Sequence, residues 1–295
     1  MTGVRVTDLV KDFTVRTGLG RSRFRAVDHV SFELVPRRTV ALVGESGSGK
    51  STIARILSKL ETPTSGTIEV TDPHGAAVTK RDYRRHVQMV FQDPFASLNP
   101  FHSIAHHIAR PLRVHGRTRG SDETYDKVVE MLARVGLDES FASRRPHELS
   151  GGQRQRVAIA RALAPGAQVV LADEPVSMLD VSIRLDVLNL MGRLQREDDL
   201  AVLYITHDLA TARHFSDEIL VLYRGRVVER GPADAVILDP HHDYTRLLAA
   251  SAPDPERVGK VVSGEATTDR STLDNSRCYN HFTQEWEESG ARVAA

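Results

Sequence analysis

Gly44-Glu45-Ser46-Gly47-Ser48-Gly49-Lys50-Ser51 decides the reading of this chain, because of what stands on either side of it. The apolar run Val40–Val43 precedes it with the composition of a buried strand, and Ser51–Leu60 follows with helical spacing. Strand, glycine-rich turn and helix in that order form a cradle for an anion. The glycines let the backbone bend so tightly that successive N–H groups point inward, and the helix presents its positive end to the same place. Lys50 adds a point charge for β- and γ-phosphates, and the Ser51 hydroxyl is of the type that ligates Mg²⁺. Thr52 closes the phosphate-binding stretch. A glycine-rich turn that binds nothing leaves the ordered strand, lysine and helix unexplained.

Working outward, short apolar runs recur at Val87–Phe91, Val169–Ala172, Leu200–Ile205 and Ile219–Tyr223, with helical spacing between several of them, as in Val181–Arg196. Strands alternating with helices predict an α/β fold around a largely parallel, covered sheet. Val4–Leu9 and Val30–Leu34 alternate instead, which fits an N-terminal antiparallel β layer. Between them Thr14–Arg25 reads as a long, solvated loop carrying Arg16, Arg21, Arg23 and Arg25. Two apolar runs meet at Arg224-Gly225-Arg226, the signal of a hairpin. From 93 to 164 the strand signal disappears and helix-forming segments take over. The expected organisation is a core of 1–92 and 165–255 that includes the β layer, an inserted helical subdomain at 93–164, and a flexible tail at 256–295. The tail is inferred from its thin apolar content.

Bulk properties set limits. Lys+Arg and Asp+Glu balance at 39 each, so no global field draws the chain to nucleic acid or an anionic membrane. One cysteine, Cys278, excludes a disulfide framework. The longest apolar run, Leu200–Ile205, is far short of the roughly 20 residues needed to span a bilayer, and no signal-peptide core follows Met1. The chain is therefore expected to be cytoplasmic and to meet a membrane only through a partner.

Two further segments carry chemistry. Val169-Val170-Leu171-Ala172-Asp173-Glu174 is an apolar strand ending in two carboxylates. Asp173 suits a Mg²⁺ ligand, and Glu174, one residue on, suits the group that orients or deprotonates an attacking water. Leu149-Ser150-Gly151-Gly152-Gln153 stands before the helix-forming run Arg154–Leu163 and reads as a second anion cradle, a hydroxyl and two glycine N–H groups at a helix start. One chain can hardly bring both cradles to one triphosphate from opposite sides, whereas two chains packed head to tail can.

The phosphate loop alone stops at the P-loop NTPase class, but the pentapeptide at 149–153 resembles the signature of the ABC ATPases, and the rest of that family's set stands in order. Gln92 resembles the Q-loop glutamine, Ser177-Met178-Leu179-Asp180 the D-loop with Met178 in place of the usual alanine, and His207 the switch histidine at the γ-phosphate. The resemblance implies a RecA-like, mostly parallel sheet core and ATP hydrolysis with Mg²⁺ held by Ser51, Gln92 and Asp173. Catalysis would rest on Lys50, Glu174 and His207, with Ser150, Gly151, Gly152, Gln153 and Asp180 contributing to the nucleotide site of a partner subunit. It also implies an aromatic ring against adenine from the N-terminal β layer, for which Phe13 is favoured over Phe24. Met178 is expected to pack rather than react.

The stretch Val87–Pro100 and the late stretch Pro240–Leu248 resemble one branch, the ATPases of oligopeptide, dipeptide and nickel importers. That branch implies a second ABC ATPase subunit, two permease subunits, an extracytoplasmic substrate-binding protein, and a place on the cytoplasmic face of the membrane. Peptides are the implied cargo, with nickel or another small solute as the alternative. A non-transport ABC ATPase, for example in phosphonate breakdown, is the reading from another class. The cysteines that hold an iron–sulfur cluster in some members are missing here. His102 and His106, four apart, read as a solvated face or a subunit contact before a metal pair.

Overall fold

A computed structural model describes residues 3–17, 20–72, 75–251 and 273–289. The described residues divide into two compact units, one comprising Val4–Leu34, Thr39–Glu69 and those from Tyr204 onward, the other Gly3, Val35–Arg38 and Val70–Leu203. The first carries the phosphate loop and is called the loop unit; the second carries the acidic strand and most helices and is called the helical unit.

The loop unit opens with two long strands, β1 (Gly3–Thr17) and β2 (Gly20–Leu34), paired antiparallel from Val4↔Leu34 to Thr17↔Gly20. Their inner ends alternate Val4, Val6, Leu9 and Val27, Val30, Phe32 into the core. The described residues of the segment 14–25 are thus paired strand and not a loop; residues 18 and 19 lie outside the described residues. Cross-strand partners make the difference: Phe13 faces Phe24, and Asp12 takes Arg23 at 3.0 Å and Arg25 at 2.9 Å. Next comes β3 (Thr39–Val43), buried along its length, and α1 (Lys50–Leu57), which buries Ile53, Ile56 and Leu57 beneath the loop that joins them. β4 (Ser65–Thr71) pairs with β1, and Gly66 is required there because a Cβ would lie 2.4 Å from the Asp8 carbonyl oxygen.

The helical unit holds α2 (Tyr83–His86), β5 (Val87–Val90), α3 (Pro94–Ser97), α4 (Ile104–Val114), α5 (Ser121–Arg134), two short 3₁₀ turns, and α6 (Gly151–Leu163). After them come β6 (Val169–Asp173), α7 (Val181–Glu197) and the start of β7 (Ala201–Thr206). β5 and β6 pair parallel from Val87↔Val169 to Val90↔Ala172, as apolar strands joined by a crossover must. Within Val70–Leu203, α6 packs on β5 and on α7.

The rest of the loop unit is α8 (Leu209–Phe215), β8 (Glu218–Tyr223), β9 (Arg226–Pro232), α9 (Ala233–Leu238), α10 (Asp243–Ser251), β10 (Arg277–Asn280) and β11 (Glu285–Glu288). Its strands run β11-β10-β9-β8-β3, with β8 parallel to β3 and antiparallel to β9. Arg224 at φ 47° and Gly225 at φ 84° make the tight turn of the β8–β9 hairpin.

The flexible-tail expectation fails for 273–289. β10 pairs parallel with β9 and antiparallel with β11, burying Cys278 and Tyr279. Tyr279 stacks on His241 at 3.8 Å and meets Trp286 at 5.3 Å, so two aromatic rings and a strand edge supply what the sparse apolar content did not. Residues 256–272 and 290–295 lie outside the described residues. Among the described residues no helix is long and apolar enough to cross a membrane.

Candidate functional site

In the loop unit, Gly44–Ser51 is clasped by backbone on several sides. A Cβ on Gly44 would lie 2.2 Å from the Leu222 carbonyl oxygen, and one on Gly49 would lie 2.3 Å from that of Ala26. Gly49, at φ 111°, also adopts a left-handed conformation as the N-cap of α1. Gly225 N–H donates to the Ser48 carbonyl at 2.9 Å, and Glu45 N–H donates to the Tyr244 hydroxyl at 2.9 Å. Asp28 holds the hairpin turn through its N–H to Gly225 O, and its carboxylate takes Arg226 at 2.5 Å and Arg25 at 2.9 Å. Burial pushes that carboxyl up, but the bonds from Arg226 and Arg25 prevail and hold it below the usual carboxylate range.

The loop has the character of an anion site. Lys50 is buried, its ammonium donating to the carbonyls of Gly44 at 2.6 Å and Glu45 at 2.7 Å. Ser48 Oγ is buried with no hydrogen-bond partner among the described residues. The N-terminus of α1 has no side-chain cap and no acid in its first turn. A phosphate matches all three: it accepts from Lys50, from Ser48 and from the open N–H groups. Ser46, Gly47 and Ser51 are exposed and Thr52 is half-buried, so the loop's mouth faces solvent.

In the helical unit, β6 delivers Asp173, buried, and then Glu174 at φ 46°. A left-handed glutamate costs roughly 1–3 kcal/mol, and the turn that follows holds it: Ser177 donates to the Glu174 carbonyl from its N–H at 3.2 Å and its hydroxyl at 3.0 Å. Gln92 Nε2 donates to Glu174 Oε2 at 3.0 Å, so the structure brings these two expected residues together. Asp173 and Gln92 offer carboxylate and amide oxygens in this unit, and Ser51 offers a hydroxyl in the loop unit, each a hard donor of the kind Mg²⁺ prefers.

Ser150 and Gln153 close a capping box on their own helix: Gln153 N–H donates to Ser150 Oγ at 3.3 Å and Ser150 N–H to Gln153 Oε1 at 2.9 Å. The two glycines between them do more than expose N–H groups. A Cβ on Gly152 would lie 2.6 Å from Ile183 Cγ2, and one on Gly151 would lie 3.1 Å from Leu179 Cδ2. They let α6 approach the start of α7, where Asp180 is the N-cap without a side-chain bond to its helix. Met178 is 55% exposed, so it does not pack within this chain as expected. The segment after Gln92 is anchored by Arg161, which donates to the Ser97 carbonyl, and by Arg154 stacked 3.8 Å over Phe95.

His207 stands exposed at the end of β7, just before Asp208 caps α8. Phe13 lies under the Lys11 ammonium at 4.8 Å, and its rival Phe24 is its direct cross-strand neighbour and more exposed. His102 and His106 stack at 4.0 Å, while His107 bonds the Asn99 carbonyl at 3.0 Å. Tyr244 was missed by sequence reasoning, which used its stretch only for resemblance.

The family model for ABC transporters matches residues 27–177. The chain is 45% identical over 267 residues to the di/tripeptide transport ATP-binding protein DppF of Pseudomonas aeruginosa (strain UCBPP-PA14), covering 88% of this chain and 82% of that protein. It is 44% identical over 265 residues to the oligopeptide transport ATP-binding protein AppF of Bacillus subtilis (strain 168), covering 88% and 80%. A dimeric, post-hydrolysis structure of the ATP-binding cassette MJ0796 bound to ADP and Pi superposes with a TM-score of 0.65 at 32% identity, covering 78% of this chain and 98% of that one. With its phosphate loop, its acidic strand end and its 149–153 segment all in place, this chain belongs to the ABC transporter family and is an ATPase of that family.

Proposed function

We propose that this chain energises an importer of peptides from the cytoplasmic face of the membrane. It would act with a second ATPase subunit, beneath two permease subunits served by an extracytoplasmic binding protein. The peptide cargo is supported by the peptide-transport functions of the two relatives above, and the pairing of cassettes by the dimeric state of the MJ0796 structure. The observation that carries the catalytic reading is Glu174, held in a left-handed turn at the end of β6 with its carboxylate against the Gln92 amide.

The residues divide the work. Lys50 gives up neutral carbonyls for phosphate oxygens, a change that strengthens its bonds in a buried setting. Ser48, Gly49 and the first turn of α1 fix the phosphates by N–H and hydroxyl donation, while Phe13 stacks on the base. Ser51, Asp173 and Gln92 would hold Mg²⁺, which when bound would supply charge neutralisation for the phosphoryl group. Glu174 orients the attacking water and receives its proton, and His207 donates toward the γ-phosphate. Ser150, Gly151, Gly152, Gln153 and Asp180 serve the nucleotide of the partner cassette, so an isolated chain binds ATP and turns it over poorly.

The test is Glu174→Gln, which keeps size and hydrogen bonding but removes the base. ATP binding is expected to persist while turnover falls on the order of 100-fold, about 2.7 kcal/mol of barrier. Turnover at the parent rate would remove Glu174 from the mechanism.

A further inference from the structure

Glu45, second in the phosphate loop, is pinned from two directions. Its N–H donates to the Tyr244 hydroxyl at 2.9 Å, while its carbonyl and that of Gly44 accept the Lys50 ammonium. A phosphate draws the Lys50 ammonium away from those carbonyls. The Tyr244 bond then holds this part of the loop together with the Ser48 N–H, which donates to the Glu45 carbonyl at 3.2 Å.

Tyr244 is suited to that task. It is fully buried, and its ring lies 4.3 Å from that of Tyr223, next to the Leu222 carbonyl that walls Gly44. Its own N–H donates to His242 Nδ1 at 3.1 Å. Because a backbone N–H only donates, Nδ1 is the bare nitrogen and the proton sits on Nε2, which donates to the Asp274 carbonyl at 2.7 Å. Asp274 lies in the C-terminal segment that carries β10 and β11. The same segment is tied in a second time through Glu229, which is fully buried: its carboxylate takes His242 N–H at 3.0 Å, His241 N–H at 2.9 Å and His281 Nε2 at 2.7 Å.

We infer that Tyr244 is a positioning residue for the phosphate loop, and that the C-terminal hairpin holds it in place through His242. This rests on the reading of Gly44–Ser51 as the seat of the nucleotide's phosphates. Tyr244 touches no reacting atom, so it governs how well the loop is ordered before nucleotide arrives and leaves the chemical step alone.

The experiment uses the full chain. ADP binding is measured by calorimetry and KM and kcat for ATP by phosphate release, for Tyr244→Phe, His242→Ala and the double variant. Tyr244→Phe keeps the ring and its stacking and deletes only the hydroxyl. One lost hydrogen bond predicts ADP binding and KM about three- to tenfold weaker, with kcat unchanged. His242→Ala is expected to weaken ADP binding in the same direction, and the double variant to match Tyr244→Phe, because the effect of His242 passes through the hydroxyl. ADP binding unchanged in Tyr244→Phe, or a fall in kcat without weaker binding, overturns the inference; an additive double variant overturns the route through His242. Lys50→Ala serves as the separate control: if it binds ADP as the parent does, the assignment of the phosphate seat has failed, whatever Tyr244 does.

Discussion

Replacing Gly152 by alanine tests why glycine stands in the 149–153 segment. The added methyl would lie 2.6 Å from Ile183 Cγ2, well inside the ~3.5–4.0 Å at which carbon atoms attract. Ile183 is β-branched and on a helix, where one χ1 rotamer dominates, so its methyl cannot swing aside and α6 must shift from α7. Overpacking of this kind costs roughly 1–3 kcal/mol, and alanine's better helix propensity offsets at most about 1 kcal/mol. With that offset in full the net loss is about 0–2 kcal/mol, or up to about 8 °C in Tm for a chain of this size. Gly151→Ala meets only the flexible end of Leu179 and should shift Tm by less than about 2 °C. The decisive assay is thermal unfolding of Gly152→Ala in the parent and in an Ile183→Ala background. Once the obstructing methyl is gone, the alanine should cost nothing, a coupling of about 1 kcal/mol or more. An effect of Gly152→Ala that is the same in both backgrounds would refute close approach as the reason for Gly152.

Gly49→Ala brings a Cβ to 2.3 Å from a backbone oxygen at φ 111°, where no side-chain movement gives relief. Nucleotide binding should be lost in calorimetry, and parent-like affinity would contradict the loop geometry. Phe13→Ala should weaken ADP binding by about 1–3 kcal/mol, roughly 5- to 150-fold, with Phe24→Ala having less than about a twofold effect. The reverse ranking would move the stacking ring to Phe24. Burial pushes the Cys278 thiol up to about 12, so at pH 8 it is almost wholly protonated. Iodoacetamide should label it slowly in the native chain and quickly in denaturant; rapid native labelling would show that the β10–β11 hairpin opens.

What could be read in the sequence was local. Gly44–Ser51 and Asp173-Glu174 carry their chemistry in consecutive residues, and the strands beside them are buried along their whole length, so unbroken apolar runs announced them. The hairpin at 14–25 was hidden because its stability lies in pairs across the ladder, Phe13 with Phe24 and Asp12 with Arg23 and Arg25, which in sequence look like scattered charge. The segment 273–289 was hidden for a similar reason: few of its side chains are apolar, and a neighbouring strand edge supplies its order.

By itself, then, the sequence determined the chemical groups of this ATPase and the order in which they occur. A cradle needs its glycines, lysine and helix start to be contiguous, and that pattern survives without knowledge of the fold. Only the tertiary structure decided what surrounds each group. It sets Gly49 against the Ala26 carbonyl, Gly152 against Ile183, Gln92 on Glu174, and Tyr244 on the Glu45 N–H. These contacts join residues up to 199 positions apart, and whether two distant groups meet depends on packing and strand order, which no local pattern encodes.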